Sequence, residues 1–377
     1  MGTTQTPLTK DGRIKVMQIV GNARLGGVVS CVLNYYSHMD RSRYRFDFVT
    51  YGPSPLDEKL RSIDPDSRVF TVPPFDGTSC LGAMRALKKI LREGGYAIVH
   101  SHLTTLSAFA LRAAKSAGVP VRICHAHSTF DRQSDHYAVK AILRPFAARY
   151  ATHRMACGSL AAQNLYRNHA DDAFILRNAI DLETFSFDKE ARAKLGLFGR
   201  VLLFAGRFAP QKNLFFLLEA FALARKKYPE IPFTLAMVGD GAQKQELISK
   251  ADALGLAESV RWVDPCRLTP WYSAADLFCL PSLYEGFPVV GIEAQACGLP
   301  CLFSYKITRE ADICKKNVFL PLDAEVWADA MAKDLPRIAD AQKILRTAGY
   351  DIRLEADNLA AFYDRALGAR LSSYTRG

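Results

Sequence analysis

Short apolar segments alternate with amphipathic segments along most of this 377-residue chain. Because consecutive parallel strands are joined by a crossover, usually a helix, this alternation predicts parallel β-sheets with helices on both faces. The sequence therefore predicts an α/β protein built from two doubly wound domains. The predicted strands form two sets of five: residues 14–19, 46–50, 97–100, 122–125 and 154–157, then residues 201–204, 234–238, 260–263, 276–280 and 300–303.

The predicted boundary between the two sets lies near residues 180–195. Residues 181–197 are charged and lack a strand pattern, as a linker would. We expect an N-terminal domain over residues 1–180, completed by a C-terminal helix at 355–377, and a C-terminal domain over 181–354. Since doubly wound sheets bind ligands at the carboxyl ends of their strands, a cleft between the domains is the expected site.

Composition disfavours several classes of protein. No apolar run approaches the roughly 18 residues of a membrane span, and residues 1–13 lack an apolar signal core. The nine cysteines are scattered and form no CxxC pair, which favours reduced thiols in the cytoplasm over disulfides or a zinc site. The glycines after the first strand do not form GxGxxG, which disfavours a dehydrogenase.

The positive charge of the chain belongs to its N-terminal half. Residues 1–180 carry 24 lysines and arginines against 13 acidic residues, whereas residues 181–377 carry 25 of each. The electric field of such a charge excess favours an anionic partner. A phospholipid surface or a lipid pyrophosphate fits better than nucleic acid, because the sequence contains no recognisable nucleic-acid-binding module.

One basic segment, residues 135–155, also carries an apolar stripe. This pattern predicts either docking on an anionic membrane or an ordinary surface helix whose stripe enters the core, and the sequence leaves both open. Pro145 interrupts or kinks the helix in either case. The cations are Lys140, Arg144, Arg149 and Arg154, and the apolar side chains are Ile142, Leu143, Phe146 and Tyr150.

Residues 280–300 place two glutamates, Glu285 and Glu293, around a predicted strand-to-helix turn. Gly286 and Pro288 open the helix, since proline suits a first helical position. The free amides and positive dipole end of such a helix bind phosphate. A carboxylate beside a phosphate can accept hydrogen bonds from sugar or ribose hydroxyls. The alternative is an amphipathic helix with a solvated glutamate.

Two further loops follow the first strand of each set. Gly26 and Gly27 precede a helix, where glycine lets the backbone approach a phosphate or sugar closely, although a simple tight turn is equally consistent. Arg207 and Lys212 lie in a strand-to-helix loop of the second set, where two cations can neutralise a diphosphate leaving group or can simply be solvated.

Four histidines follow two neighbouring strands of the first set: His100, His102, His125 and His127. Alternating histidines can bind a metal, but no carboxylate is placed beside them, so we expect no metal. At strand ends they can hydrogen-bond sugar hydroxyls or move protons. The alternative for any one of them is a structural role.

Together these segments resemble the retaining, metal-independent glycosyltransferases of family 4, which have the GT-B architecture of two Rossmann-like domains facing an interdomain cleft. The likeness runs through LGGVVSCVLNYY, GRFAPQKNLFFLLEAFALA and the Glu285–Glu293 block, and AGYDIRLEADNLAAFYDRAL is similar to bacterial exopolysaccharide and capsule members. One departure is Asp264, in Trp262-Val263-Asp264, where the family often has glycine before the base pocket. That departure leaves open whether the nucleoside of the donor is uridine or guanosine.

The resemblance implies a role for each matching residue. Gly26 and Gly27 would lie near the donor phosphates, and Arg207 and Lys212 would bind the donor diphosphate. Glu285 would lie near the transferred sugar, and Glu293 would bind the ribose hydroxyls. His127 best matches the histidine that contacts the donor sugar, with His125 as its rival. The remaining donor contacts would come from Ser282, Gly286, Phe287, Pro288 and Val289, with backbone amides through Val290.

The implied activity is transfer of a sugar from a nucleoside-diphosphate sugar, with UDP favoured, to a hydroxyl of a lipid-linked glycan during polysaccharide biosynthesis. The resemblance implies retention of anomeric configuration, no metal and no cofactor, with catalysis by His127, Arg207, Lys212 and Glu285. The expected location is cytoplasmic, on the inner face of the membrane. Two alternatives stay open: a nucleotide-sugar 2-epimerase of the same architecture, and a non-catalytic partner of another transferase.

Overall fold

The computed structural model describes residues 12–21, 27–75, 77–127 and 137–374. Contacts divide the chain into two compact units. Unit 1 comprises Met1–Ala179 and Ile352–Gly377, and unit 2 comprises Ile180–Asp351. No helix within the described ranges combines the length and the apolarity that crossing a bilayer requires.

Unit 1 is built on a sheet of seven parallel strands in the order β3-β2-β1-β4-β5-β6-β7. The strands are β1 (Ile14–Gly21), β2 (Tyr44–Thr50), β3 (Val69–Thr71), β4 (Ile98–Ser101), β5 (Val121–Ala126), β6 (His153–Ala156) and β7 (Phe174–Ile175). The helices between them are α1 (Gly27–His38), α2 (Leu56–Ile63), α3 (Cys80–Gly94), α4 (Ser107–Ser116), α5 (Tyr137–Leu143) and α6 (Ser159–Tyr166).

Unit 2 repeats this topology with six parallel strands in the order β10-β9-β8-β11-β12-β13. The strands are β8 (Arg200–Ala205), β9 (Phe233–Val238), β10 (Val260–Val263), β11 (Leu277–Leu280), β12 (Cys301–Ser304) and β13 (Val318–Leu320). The helices are α7 (Ala191–Lys194), α8 (Leu214–Lys227), α9 (Lys244–Ala253), α10 (Thr269–Ala274), α11 (Val289–Ala296), α12 (Ala324–Ala332) and α13 (Ala341–Thr347).

The last helix, α14 (Ile352–Tyr374), packs into the core of unit 1. Its side chains Ile352, Ala356, Leu359 and Tyr363 are at most 2% exposed. Residues 181–197, which lack a strand as expected, are packed rather than free, since Ala191 and Leu197 join the core of unit 2.

Both sheets confirm the predicted doubly wound α/β class, because the strand order reverses direction beside the first strand of each unit. All ten predicted strands are present within one or two residues at each end. The sequence reading missed β3, β7 and β13. These are short strands of two or three residues with no buried side chain, so they leave no apolar run to detect.

Candidate functional site

The loops after the neighbouring strands β8 and β11 bring a lysine and a glutamate together. Lys212 Nζ forms an ion pair with Glu285 Oε1, and the two side chains are only 16% and 9% exposed. Ser282 Oγ donates to the same carboxylate oxygen at 2.6 Å. Lys212 ends a turn of 3₁₀ helix, and Asn213, in the left-handed region at φ 55°, is the N-cap residue of α8. The carboxylate is therefore held by a cation and a hydroxyl from separate loops.

Gln211 ties these two loops to each other. Its Nε2 donates to the carbonyl oxygen of Tyr284 at 2.8 Å, and the amide of Leu283 donates back to the carbonyl oxygen of Gln211 at 2.9 Å. The sequence reading did not single out this residue. Its only signal is its position next to Lys212.

Glycines lock the loop after β8 against the loop after β9. Gly239 has φ 153°, and a Cβ there would lie 1.9 Å from the carbonyl oxygen of Gly206. A Cβ on Gly241 would lie 2.3 Å from the carbonyl oxygen of Phe208, whose amide donates to Asp240 O at 2.8 Å. Because no other residue fits this approach, these glycines fix the backbone that carries Arg207 and Lys212.

Arg207 lies in the same loop as Lys212 but does not join the ion pair. It is exposed and makes no hydrogen bond or ion pair with any part of the chain that the structure describes. The loop after β8 thus carries one cation bound to Glu285 and one cation open to solvent.

Helix α11 begins at Val289, one residue after the predicted start, with Pro288 as its N-cap residue. Gly291 and Ile292 donate to the carbonyl oxygen of Pro288. The amides of Val289 and Val290 have no intrahelical acceptor, and the first turn holds no acidic residue. This helix end can therefore bind an anion.

The loop that leads into α11 is anchored by an aromatic side chain. Phe287 is 7% exposed and its ring stacks on Tyr350, with centroids 5.8 Å apart. Ser282 is fully buried, whereas Gly286 is partly exposed.

Glu293 is the fifth residue of α11, one turn after Val289 and on the same helix face. The phenol of Tyr272 donates to Glu293 Oε2 at 2.9 Å. Burial raises the pKa of Glu293 to about 7, and the hydrogen bond from Tyr272 opposes that shift. Among the described residues Glu293 is hydrogen-bonded to Tyr272 and not to Lys212 or Glu285. The structure thus pairs Lys212 with Glu285, and neither Glu293 nor Arg207 takes part in that pair.

Four histidines of unit 1 form one buried cluster at the carboxyl ends of the adjacent strands β4 and β5: His100, His102, His125 and His127. Their exposures are 7% or less, and the rings of His125 and His127 lie 3.8 Å apart between centroids. His102 Nδ1 contacts His127 Nε2 at 2.7 Å, and His100 Nε2 contacts His125 Nδ1 at 3.0 Å.

All four histidines are held neutral. Burial lowers the pKa of His100 and of His127 to about 3. It also lowers the pKa of His102 and His125 well below the usual value, with a further contribution from the neighbouring rings. The cluster can therefore exchange hydrogen bonds at neutral pH but carries no charge.

Three of these side chains are close enough together to be considered as metal ligands. His100, His102 and His125 offer nitrogen atoms within 4.8 Å of one another. However, ring nitrogens of all three already bond to neighbouring side chains, and the group includes no carboxylate to balance a buried cation. The absence of a bound metal stays a prediction.

The two remaining loop predictions have different outcomes. Gly26 lies outside the described residues, and Gly27 is the exposed first residue of α1. Asp264, the departure from the family pattern, lies after β10 and pairs with Lys244 Nζ at 2.5 Å.

Helix α5 and the turn after it expose apolar side chains. Val139 is 52% exposed, Ile142 69% and Phe146 44%, and α5 contains no buried residue. Of the two alternatives for this basic segment, the helix with its stripe in the core is wrong.

Comparisons with known proteins agree with this fold. The family model described as glycosyl transferases group 1 matches residues 199–336, and the model of glycosyltransferase family 4 matches residues 25–184. The putative glycosyltransferase EpsF of Bacillus subtilis (strain 168) is 31% identical over 93% of this chain and 96% of its own length. UDP-Gal:alpha-D-GlcNAc-diphosphoundecaprenol alpha-1,3-galactosyltransferase of Escherichia coli is 28% identical over 78% of this chain and 79% of its own length.

Solved structures share the architecture at low identity. HepE of Anabaena in complex with UDP and glucose superposes with a TM-score of 0.79 at 17% identity, over 93% of this chain and all of the other. Sucrose-phosphate synthase of Thermosynechococcus elongatus gives 0.76 at 19% identity, over 95% of this chain and all of the other. The lipopolysaccharide glycosyltransferase WaaG gives 0.63 at 16% identity, over 93% and 95%. These likenesses confirm the GT-B fold.

Proposed function

The chain belongs to glycosyltransferase family 4, and from this premise we propose that it transfers a sugar from a UDP-sugar to a hydroxyl of a lipid-linked glycan in polysaccharide biosynthesis. The observation that carries the proposal is the Lys212–Glu285 ion pair, whose lysine lies in the same loop as the exposed Arg207. The name of the E. coli relative specifies UDP-Gal and a diphosphoundecaprenol-linked sugar, and the HepE structure contains UDP and glucose. Both support the choice of donor, and the first also supports the acceptor class.

The chemical difficulty in such a transfer is the charge that develops on the departing diphosphate. Arg207 and Lys212 supply two cations from one glycine-locked loop, and the amides of Val289 and Val290 supply hydrogen-bond donors. Preorganised groups of this kind act without reorganisation during the reaction, and each is typically worth about 3–4 kcal/mol of transition-state stabilisation.

The carboxylates have separate tasks in this proposal. Glu285, already held by Lys212 and Ser282, accepts hydrogen bonds from the transferred sugar once the diphosphate takes part of the lysine's charge. Glu293, oriented by Tyr272, accepts hydrogen bonds from the ribose hydroxyls. The backbone amides of Gly286, Phe287 and Val289 bind phosphate and sugar oxygens. No metal takes part in the proposed reaction.

Unit 1 contributes hydrogen bonds rather than charge. His127 is neutral and paired with His102. By the family resemblance we assign to His127 a hydrogen bond to the donor sugar and to Gly27 a place near the donor phosphates. We also propose that the anomeric configuration of the sugar is retained, on the ground of the family resemblance. The product's configuration, read by NMR, tests it.

Unit 1 also docks on the cytoplasmic, anionic face of a membrane through α5. The exposed side chains of Val139, Ile142 and Phe146 supply apolar area, and Lys140 and Arg144 lie among them in the sequence. Apolar insertion combined with attraction to anionic lipid is the usual basis of interfacial helix binding.

Sedimentation with vesicles tests this docking. We expect the protein to pellet with vesicles that contain phosphatidylglycerol and to stay in solution with pure phosphatidylcholine vesicles. Ile142→Asp should reduce pelleting several-fold, whereas Leu81→Asp, at a 66% exposed leucine on α3 of the same unit, should not. Equal pelleting of all three proteins would contradict docking through α5.

A product assay tests the transferase activity itself. A panel of UDP-sugars and GDP-sugars is incubated with undecaprenyl-diphosphate-linked acceptors, and products are identified by mass spectrometry. We expect transfer from one UDP-sugar that requires the acceptor. Isomerisation of a donor without acceptor, or no transfer from any donor on the panel, would contradict the proposal.

A further inference from the structure

Gln18 lies at the centre of a chain of buried hydrogen bonds in unit 1. The residue is on β1, is 1% exposed, and bridges the two pairs of histidines. Its Oε1 contacts His102 Nε2 at 2.8 Å, and its Nε2 donates to the phenol oxygen of Tyr363 at 3.3 Å. Tyr363 in turn contacts His100 Nδ1 at 2.8 Å. The amide of Gln18 therefore orients two arms of the cluster. The first arm runs through His102 to His127, and the second runs through Tyr363 and His100 to His125.

The chemistry of the amide sets the direction of the first arm. An amide oxygen only accepts hydrogen bonds, so the hydrogen of His102 must be on Nε2. A neutral His102 then has a lone pair on Nδ1, and His127 Nε2 donates to it across 2.7 Å. A neutral His127 consequently carries its lone pair on Nδ1, which makes no hydrogen bond within the described part of the chain.

The second arm ends differently. The phenol oxygen of Tyr363 accepts from Gln18, so its own hydrogen is directed to His100 Nδ1. His100 Nε2 then donates to His125 Nδ1, which places the hydrogen of His125 on Nε2. That nitrogen is buried and has no hydrogen-bond partner among the residues that the structure describes. The two rival histidines thus differ: His127 ends in an acceptor, and His125 ends in a buried donor.

We propose that Gln18 is a positioning residue that holds His127 in the Nε2–H tautomer, so that His127 Nδ1 accepts a hydrogen bond from a sugar hydroxyl. The inference rests on the proposed function for the identity of that hydroxyl, but the tautomer itself is a property of the free protein. A hydrogen bond to the second ring nitrogen is what fixes a histidine tautomer in general.

Nitrogen NMR of the full-length protein, labelled with ¹⁵N-histidine, reads the tautomer directly in the absence of substrate. Signals are assigned by replacing each cluster histidine in turn, and the exposed His169 serves as a reference outside the cluster. In the wild-type protein at pH 7 we expect protonated Nε2 and unprotonated Nδ1 at His127. Protonated Nδ1 at His127 would overturn the proposal without reference to activity.

Two variants test the role of Gln18. In Gln18→Glu a buried carboxylate favours an imidazolium at position 102, which must donate from both nitrogens, so His127 should change to the Nδ1–H tautomer. In Gln18→Met neither arm is oriented, and His127 should populate both tautomers. An unchanged His127 tautomer in both variants would overturn the proposal.

Kinetics distinguish orientation from a general structural role. We expect Gln18→Glu to reduce kcat for sugar transfer by about 100-fold, the lower end of what a positioned proton donor or acceptor contributes. Affinity for UDP should be unchanged, because Gln18 contacts neither the cations nor the carboxylates assigned to UDP, which are in unit 2. A parallel loss of UDP affinity would indicate a structural defect and would overturn the positioning role.

Discussion

Unit 1 carries the positive charge of the chain, yet its polar centre is four neutral histidines. Unit 2, with 21 lysines and arginines against 22 acidic residues, concentrates cations and carboxylates in loops after its strands. The excess charge of unit 1 thus does not mark an anion site at its polar centre. What distinguishes the loops of unit 2 is a fixed backbone, an ion pair and an exposed arginine. The proposed diphosphate site therefore rests on local arrangement and not on net charge.

The largest effect that this comparison predicts concerns the Lys212–Glu285 pair. Lys212→Met and Glu285→Gln should each reduce kcat/KM for transfer by about 10²–10³. The double variant should lose less than the product of both, because the two side chains act on each other. Initial rates with the donor identified by the panel measure this.

The two variants differ in their expected stability. Glu285→Gln keeps an oxygen acceptor for Lys212 and Ser282, whereas Lys212→Met leaves a mostly buried carboxylate unpaired, which is destabilising. Urea unfolding of both variants separates the two effects. Lys227→Met, which removes a more exposed ion pair in unit 2, is the control and should retain wild-type kinetics. Wild-type turnover of Glu285→Gln would contradict a special role for the Lys212–Glu285 pair.

The two units should respond to acid in opposite directions. Unfolded histidines take up protons near pH 6.5, but folded His100 and His127 do so only near pH 3. Unit 1 therefore loses stability as the pH falls below 6.5, by up to about 1.4 kcal/mol per histidine for each pH unit. Glu293, with its pKa raised to about 7, contributes most stability below its usual pKa and loses it as the pH rises toward 7.

Hydrogen exchange followed by mass spectrometry at pH 7 and pH 5.5, corrected for intrinsic rates, measures each unit separately. The amides of β4 and β5 should become less protected at the lower pH, by about 3 kcal/mol if both histidines contribute fully. The amides of β8 and β9 should not become less protected at the lower pH. Equal loss of protection in both units would contradict the assigned charge states.

The glycine lock in unit 2 should have a smaller effect. Gly239→Ala places a Cβ against the carbonyl oxygen of Gly206 and strains a positive φ, so we expect a loss of about 2 kcal/mol or more in the free energy of unfolding. Gly255→Ala is the matched control, with φ 70° and no atom within 4 Å of the added Cβ, and should cost about 1 kcal/mol. Equal urea midpoints for the two variants would contradict the close approach.

Donor affinity should depend on pH through Glu293. Below pH 7 its carboxyl is protonated in the free protein and loses acceptor capacity for ribose, so UDP affinity should fall by up to about tenfold for each pH unit. Glu293→Gln should flatten this profile, since an amide does not titrate. Calorimetric titrations between pH 5.5 and 8 measure it, and an unchanged slope in the variant would assign the titration elsewhere.

The positions of the charged residues in unit 2's loops could be predicted from the sequence because their signals are local. The apolar run at 277–280, the following Glu285 and the Pro288 helix start lie within twenty residues. Lys212 was predicted from its own loop in the same way. What the sequence could not give is that Lys212 contacts Glu285, since 73 residues separate them.

The missed residues all act through contacts between distant segments. Gln18 and Tyr363 are 345 positions apart, and Tyr272 reaches Glu293 from another helix. Gly239 matters only because the backbone of Gly206 lies against it. A glutamine, a tyrosine or a glycine in an apolar strand or turn has no distinguishing pattern, so such roles emerge only from the packed structure.

Calorimetric binding of UDP and of uridine tests the central claim most directly, because their difference isolates the contribution of the diphosphate. The account predicts that wild-type protein binds UDP at least about 100-fold more tightly than uridine, as expected for two charge-assisted contacts. Arg207→Gln combined with Lys212→Met should remove most of that difference while leaving uridine binding unchanged. An undiminished preference for UDP in the double variant would contradict a diphosphate site formed by these two cations.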